Sequence, residues 1–209
     1  MGMRSAIVLA GGRSKRLGRD KGLLSINGTT LIEHVCKRVG VVVDEVMVAV
    51  GSSAQQAAYR PLLGGYTTVV DEEVCGGPLI GLQSGLRLVR GDRTAVVGCD
   101  MPLLSGDVLN LLFEACAGRS AAIPRWPNGY IEPLHSVYDT DECLNAVRMA
   151  LKVNRRDMRA MILRLPNVIY VSTQAMRRLD PCLSTFMNVN TRRDLQKVRA
   201  MLNQRKVSP

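Results

Sequence analysis

The sequence predicts an α/β fold, with a mostly parallel central sheet covered by helices on both faces. Three observations predict it. Short runs that are apolar throughout, instead of alternating, recur between residues 4 and 124, as strands buried on both faces do. Stretches with apolar residues at helical spacing stand between them, joined by short turns. Polar motifs follow three of the apolar runs, at the carboxyl ends where such sheets bind ligands. The crossovers are expected to be right-handed.

The first strand is Ala6-Ile7-Val8-Leu9, and the glycine-rich, basic stretch from Leu9 to Lys21 follows it. Thr30-x-x-Glu33 reads as a capping box opening a helix, with Leu31, Ile32, Val35 and Val39 inward and Lys37 and Arg38 outward. His34 and Cys36 on that helix read as structural. The second strand covers 46–50 and ends at Gly51-Ser52-Ser53. A helix over about 54–60 is expected to stop at Pro61, because the residue before proline is pushed out of the helical region. A third strand over 66–70 carries Asp71 at its end. Cys75-Gly76-Gly77-Pro78 reads as a hinge-like turn, with Pro78 opening a helix that buries Leu79, Leu82, Leu86 and Val89. A fourth strand over 94–98 runs into Cys99-Asp100-Met101-Pro102. Ser105 caps the next helix, which has Asp107 in its first turn and Val108, Leu111, Leu112 and Ala115 inward. The fifth strand covers 120–124.

Beyond that point the pattern is less regular. A turn over 125–129 leads to a strand over 132–138 that returns to the sheet. Helices follow over 139–151 and 155–163, then a strand over 168–171. Met187-Asn188-Val189-Asn190 leads to a helix capped by Thr191-x-x-Asp194, with Leu195, Val198 and Leu202 inward. The tail from Asn203 is polar and expected to fray. With no repeat or linker, residues 1–209 read as one domain.

Composition narrows the function. At 46% apolar and 22% charged residues, the 209-residue chain is that of a globular protein with room for a core. No apolar run approaches the roughly 20 residues a bilayer span needs. Residues 6–9 are too short for a secretory h-region, so a cytoplasmic protein without membrane contact is expected. Six cysteines form no CxxC motif and read as reduced, mostly buried thiols. Two histidines, His34 and His135, argue against a His-rich metal site. The net charge of +10 suits nucleic acid or small polyanions; with only 4% aromatics, small phosphate-bearing molecules fit better than nucleic acid.

The stretch Leu9-Ala10-Gly11-Gly12-Arg13-Ser14-Lys15-Arg16-Leu17-Gly18-Arg19-Asp20-Lys21 carries five cations in its last nine residues. Glycines let the backbone turn and approach a ligand, and N–H groups with cations hold phosphate. A solvated surface loop would look similar, and the stretch is neither GxGxxG nor GxxxxGK[ST]. Lys21 can reach back to phosphates as a point charge, or be a surface charge, with Asp20 steadying the loop. Arg16 can pair bidentately with phosphate. Asp100, just past a buried strand, is suited to Mg²⁺, or simply ends the strand. Asp71 can accept hydrogen bonds from a base edge or ribose, or be a strand-end carboxylate. Gly77 and Gly81 let a ligand approach a helix N-terminus. Asn188 and Asn190 can touch phosphate or the metal's water shell, or cap a helix. Arg155 and Arg156 can grip a second anion, or form a solvated helix face.

The opening stretch resembles the signature L-A-G-G-x-S-x-R-M-G-x-D-K of the molybdenum cofactor guanylyltransferases, with Leu17 in place of Met. Gly77-Pro78-Leu79-Ile80-Gly81, Cys99-Asp100-Met101-Pro102, Glu132-Pro133-Leu134 and Asn188-Val189-Asn190-Thr191 followed by Asp194-Leu195 resemble the same family in the same order, from residue 9 to 195. The resemblance implies a three-layer, Rossmann-like nucleotidyltransferase fold that binds GTP and Mg²⁺. It implies transfer of GMP from GTP to the terminal phosphate of molybdenum-bound molybdopterin, with release of pyrophosphate. By position, Leu9, Ala10, Gly11 and Gly12 would line the nucleotide, Lys21 would meet its phosphates, Asp71 the guanosine and Asp100 the Mg²⁺. Arg16, Gly77, Gly81, Asn188 and Asn190 fall at positions expected to matter for activity. The resemblance implies that the part up to about residue 124 binds the nucleotide and the remainder faces the acceptor, with the pterin near residues 132–138 and Arg155-Arg156. Molybdoenzyme assembly proteins are further expected partners, and a monomer or weak homo-oligomer is the expected state. A cytidylyltransferase for molybdopterin, a guanylyltransferase for a cobamide precursor and a non-catalytic nucleotide-binding assembly protein are the alternatives. Leu-Ala-Gly-Gly, where relatives using CTP tend to read Leu-Ala-Ala-Gly, favours GTP.

Overall fold

The structure, a computed structural model, describes residues 2–11, 20–71 and 76–207. Its sheet is built from β1 (Arg4–Leu9), β4 (Glu45–Val50), β5 (Thr67–Val70), β6 (Arg93–Gly98), β7 (Ala121–Arg125), β8 (His135–Asp139) and β9 (Val168–Ser172). A separate two-strand hairpin is formed by β2 (Ser25–Ile26) and β3 (Thr29–Thr30). The order across the large sheet is β5-β4-β1-β6-β8-β7-β9. Every pairing is parallel except those of β8, which runs against both β6 and β7. The carboxyl ends of β1, β4, β5 and β6 therefore open on one edge. The turn before β8 joins them there, where the Gly98 N–H donates to the Leu134 carbonyl at 3.2 Å.

The wholly apolar strands are explained by two cores. Ala6 and Val8 of β1 face a layer holding α1 (Leu31–Val39), α2 (Ser53–Leu63) and α4 (Gly106–Ala115). Ile7, between them, faces α3 (Pro78–Leu86), α5 (Thr140–Lys152) and α6 (Met158–Ile162). Burying an isoleucine completely is favourable by about 2–3 kcal/mol, and Ile7 has no exposed surface. A Cβ on Gly85 of α3 would stand 2.8–3.0 Å from the Ile7 side chain, so glycine there lets helix and sheet close together. A third cluster packs Ile26, Leu31 and Leu103 against Val189, Val198 and Leu202, docking α8 (Arg192–Val207) beside the hairpin. This cluster carries residues 188–190 to the edge where the strands end. Among the described residues, no helix is long and apolar enough to cross a membrane.

Several elements differ from the sequence reading. α2 continues through Pro61 to Leu63, because Tyr59 and Leu63, four residues apart, both bury in the first core. Gly64, left-handed at φ 50°, ends it. The strand expected over 132–138 begins only at His135. The Glu132 carbonyl accepts from the His135 N–H and the Ser136 hydroxyl, which makes 132–134 a turn. α6 is shorter than expected because Asp157 caps it through the Ala160 N–H, leaving Arg155 and Arg156 before it. The stretch over 203–207, expected to fray, is helical, since α8 runs to Val207, and the last two residues lie outside the described residues. Sequence reading missed α7 (Thr173–Met176) and the β2–β3 hairpin, although Asn27-Gly28, at φ 53° and 81°, is a strong local hairpin signal. The free cysteines among the described residues are buried at Cys36, Cys99, Cys116 and Cys143 and exposed at Cys182; Cys75 lies outside the described residues.

Candidate active site

A cleft of about 260 Å³ opens where β1, β4, β5 and β6 end. The structure brings Leu9, Gly11, Lys21, Asp71, Gly77, Gly81 and Asp100 to its wall. Strand ends deliver the two carboxylates, and a short 3₁₀ turn over Lys21–Leu23 delivers the lysine. Gly12 and Arg16 lie outside the described residues. Ala10 does not line the cleft. It is buried, its N–H donates to the Ala49 carbonyl at 2.8 Å and its own carbonyl accepts from Gln55 at 2.9 Å, so both backbone groups serve the frame.

At one side, Lys21 Nζ lies 3.0 Å from Asp100 Oδ2 and donates to Asn190 Oδ1 at 2.6 Å. The Val189 N–H donates to the Asp100 carbonyl at 2.8 Å, tying the asparagine segment to the end of β6. The helix-capping role falls to Thr191, whose hydroxyl accepts from the Asp194 N–H, which leaves the Asn190 side chain to Lys21. Asn188 is half-buried and makes no side-chain hydrogen bond among the described residues. Asp100 Oδ1 likewise has no hydrogen-bond partner among them, and a Cβ on Gly98 would crowd it at 2.8 Å. No cluster of three metal-binding side chains exists among the described residues. One accessible carboxylate suits a hard cation that brings its other ligands on phosphate and water, rather than a protein-built cage.

At the other side stands Asp71. Its N–H is fixed on the Val50 carbonyl at 2.8 Å, and its carboxylate is wedged between two glycines. A Cβ on Gly11 would stand 2.8 Å from Oδ2, and one on Gly81 would stand 3.0 Å from Oδ1. Oδ1 is buried and unpartnered. Loss of water pushes the carboxyl up to about 6. Above pH 6 the buried charge opposes folding, on the order of 1–2 kcal/mol after solvent screening. The penalty is relieved as pH falls from 6 towards 4. A charged acceptor held without a donor is an arrangement a ligand can satisfy. Between the two sides, Gly77, at φ 85°, turns the chain so that the N-terminus of α3 faces the cleft.

Neither histidine supplies a base in the cleft. His135 is fully buried on the Thr185 hydroxyl, and burial pushes it down to about 3; His34 leans on the Ile26 carbonyl. Arg155 pairs with Asp157 away from the cleft, while the Arg156 backbone borders the turn at Gly77. Sequence reasoning missed Ala49, Gly76, Gly98 and Cys99 on the wall, while Leu134 falls in the stretch expected on the acceptor side. Of these, Gly98 was readable, since a glycine closing a buried strand marks a close approach.

This sheet order, with its glycine-lined cleft facing a lysine and two strand-end aspartates, defines a Rossmann-like nucleotidyltransferase. Comparison with known proteins agrees and goes further. A family model described as the MobA-like NTP transferase domain matches residues 6–168, and the chain belongs to that family of nucleotidyltransferases. A probable molybdenum cofactor guanylyltransferase of Methanosarcina mazei is 36% identical over 204 residues, covering 93% of this chain and 89% of its own. Another, from Pyrococcus horikoshii, is 36% identical over 194 residues, covering 91% and 96%. The crystal structure of molybdopterin-guanine dinucleotide biosynthesis protein A from Archaeoglobus fulgidus is similar at a TM-score of 0.80 and 26% identity, over 97% of this chain and 100% of that one.

Proposed function

We propose that this nucleotidyltransferase moves GMP from GTP to the terminal phosphate of molybdenum-bound molybdopterin, releasing pyrophosphate. The observation that carries the reading is the unpartnered Asp71 oxygen at one side of a cleft whose other side holds Lys21 and Asp100. A carboxylate wants two adjacent donors. Guanine offers N1–H beside its 2-amino group, whereas the pairing edges of cytosine and adenine set one amino donor beside an acceptor. Asp71 therefore favours guanine, and the names of the relatives support the same substrate. Leu9 and Gly11 would border the nucleoside, with Gly77 and Gly81 giving it room beside α3.

The acceptor phosphate is already ionised, so no strong general base is required. What the chain must supply is position and charge. Lys21 would neutralise phosphate oxygens, and Asn190 would hold the lysine in place or donate its amide to the phosphates. Asp100 would be the protein's ligand to Mg²⁺, which supplies charge neutralisation when bound. The +10 net charge attracts two polyanionic substrates.

The test is nucleotide choice. Labelled GTP, CTP and ATP are each incubated with Mg²⁺ and molybdopterin, and pyrophosphate is measured. Release with GTP alone is the expected result; preference for CTP would overturn the base assignment and leave the fold untouched. Asp71 adds a second measurement. Protonation removes an acceptor, so GTP affinity should weaken about tenfold between pH 7 and pH 5. An Asp71→Asn variant should bind GTP less well at pH 7 and show little further change. A pH loss that persists in this variant would remove Asp71 as the reader.

A further inference from the structure

Tyr59 and Gln55 lie on α2 and neither lines the cleft. Between them they hold both oxygens of Asp20, the residue before Lys21. The Tyr59 hydroxyl donates to Oδ1 at 2.7 Å, and Gln55 Nε2 donates to Oδ2 at 2.6 Å. The Gly22 N–H adds a third donor to Oδ1 at 2.9 Å, closing the turn that starts with Lys21. Gln55 reaches further still. Its Oε1 accepts from the Gly51 N–H at 2.8 Å, and Nε2 also donates to the Ala10 carbonyl at 2.9 Å. One amide thus joins the chain leaving β1, the chain leaving β4 and the turn that presents the lysine.

The contact is built on both sides. Tyr59 is fully buried, so its hydroxyl has no water to fall back on if Asp20 moves away. Burial pushes the phenol up, which keeps it a donor. A Cβ on Gly22 would collide with that hydroxyl, so glycine is required where the turn meets the ring. A lysine has four rotatable side-chain bonds, and the place its amine can reach depends on where its backbone is pinned.

We infer that Tyr59 and Gln55, acting through Asp20, are positioning residues that aim Lys21 at the phosphates. The inference rests on the reading of Lys21 as the phosphate contact. In this arrangement α2, which touches no substrate, sets the geometry of the transfer step. Charge-assisted hydrogen bonds to a carboxylate are short and directional, which suits the task.

Tyr59→Phe tests it, because the ring is kept and only the hydroxyl is lost. The GTP-dependent kcat should fall about tenfold or more, as small misplacements of a charge-bearing group do. The same substitution made in a Lys21→Ala background should change kcat by less than about twofold, since both act through one amine. A merely structural hydroxyl would give the same loss in both backgrounds, and that result would overturn the proposal, as would wild-type kinetics in Tyr59→Phe. A readout independent of turnover is the rate at which the Lys21 amine is acetylated by dilute acetic anhydride, followed by peptide mass spectrometry. Tyr59→Phe should raise it severalfold relative to the other lysines. If wild-type protein releases no pyrophosphate from any nucleotide, the proposed function fails. Labelling then decides the positioning role alone, and unchanged Lys21 labelling would end it.

Discussion

Replacing Asp100 with alanine should lower GTP-dependent pyrophosphate release about a thousandfold, the scale on which preorganised charge in a closed site acts. Asp100 is delivered by the end of β6, and Gly98 leaves room for its Oδ1. Its only ion pair among the described residues is with Lys21, and both side chains remain about one-fifth exposed, at 21% and 23%. A pair this accessible stabilises a fold by about 0–1 kcal/mol, so the variant should melt close to wild type. Asp100→Asn, which keeps the shape and removes the charge, should lose nearly as much activity. GTP should still bind the variants in part, because Asp71 and the glycine-lined wall are untouched. Full biological activity in Asp100→Ala would instead mark a nucleotide sensor.

Lys21→Ala should reduce kcat/KM for GTP at least about a hundredfold, with stability little changed. The amine contacts Asp100 and Asn190, one from each half of the chain, and the side chain is partly exposed. Lys21→Arg should recover only part of the loss. The guanidinium is a wider fork than the compact ammonium that fits between those two oxygens. Steady-state kinetics with a thermal melt separates the outcomes. Cooperative loss of folding would show that the lysine holds the structure together.

Sequence reading worked best where the physics is local. Doubly buried strands declare themselves as unbroken apolar runs, and Thr30 with Glu33 forms the capping box their spacing announces. Asp71, Asp100 and the Gly11 turn could be placed on one edge because strand ends in such a sheet converge. Pro61 misled, because a rule about one peptide unit was outweighed by the burial of Tyr59 and Leu63. The meeting of Lys21 with Asn190, 169 positions apart, had no local signature. It depends on the third core cluster docking α8 beside the hairpin. Gln55 and Tyr59 were invisible for a similar reason. They read as an ordinary helix, and only the folded chain brings them to Asp20.

The one reversed strand has a further consequence. Because β8 runs backwards, β7 leaves the sheet and β8 rejoins it on the same rim, so residues 126–134 form a protruding hairpin with Tyr130 exposed at 61%. Leu134, at its base, is part of the wall, while the strands whose ends lead to Gly11, Asp71 and Asp100 sit in a separate parallel block. On the proposed reading, lengthening or rewriting that hairpin would alter the recipient's berth without shifting any strand register around the donor. Evolution could thus exchange one half of this catalyst's vocabulary and leave the other half intact.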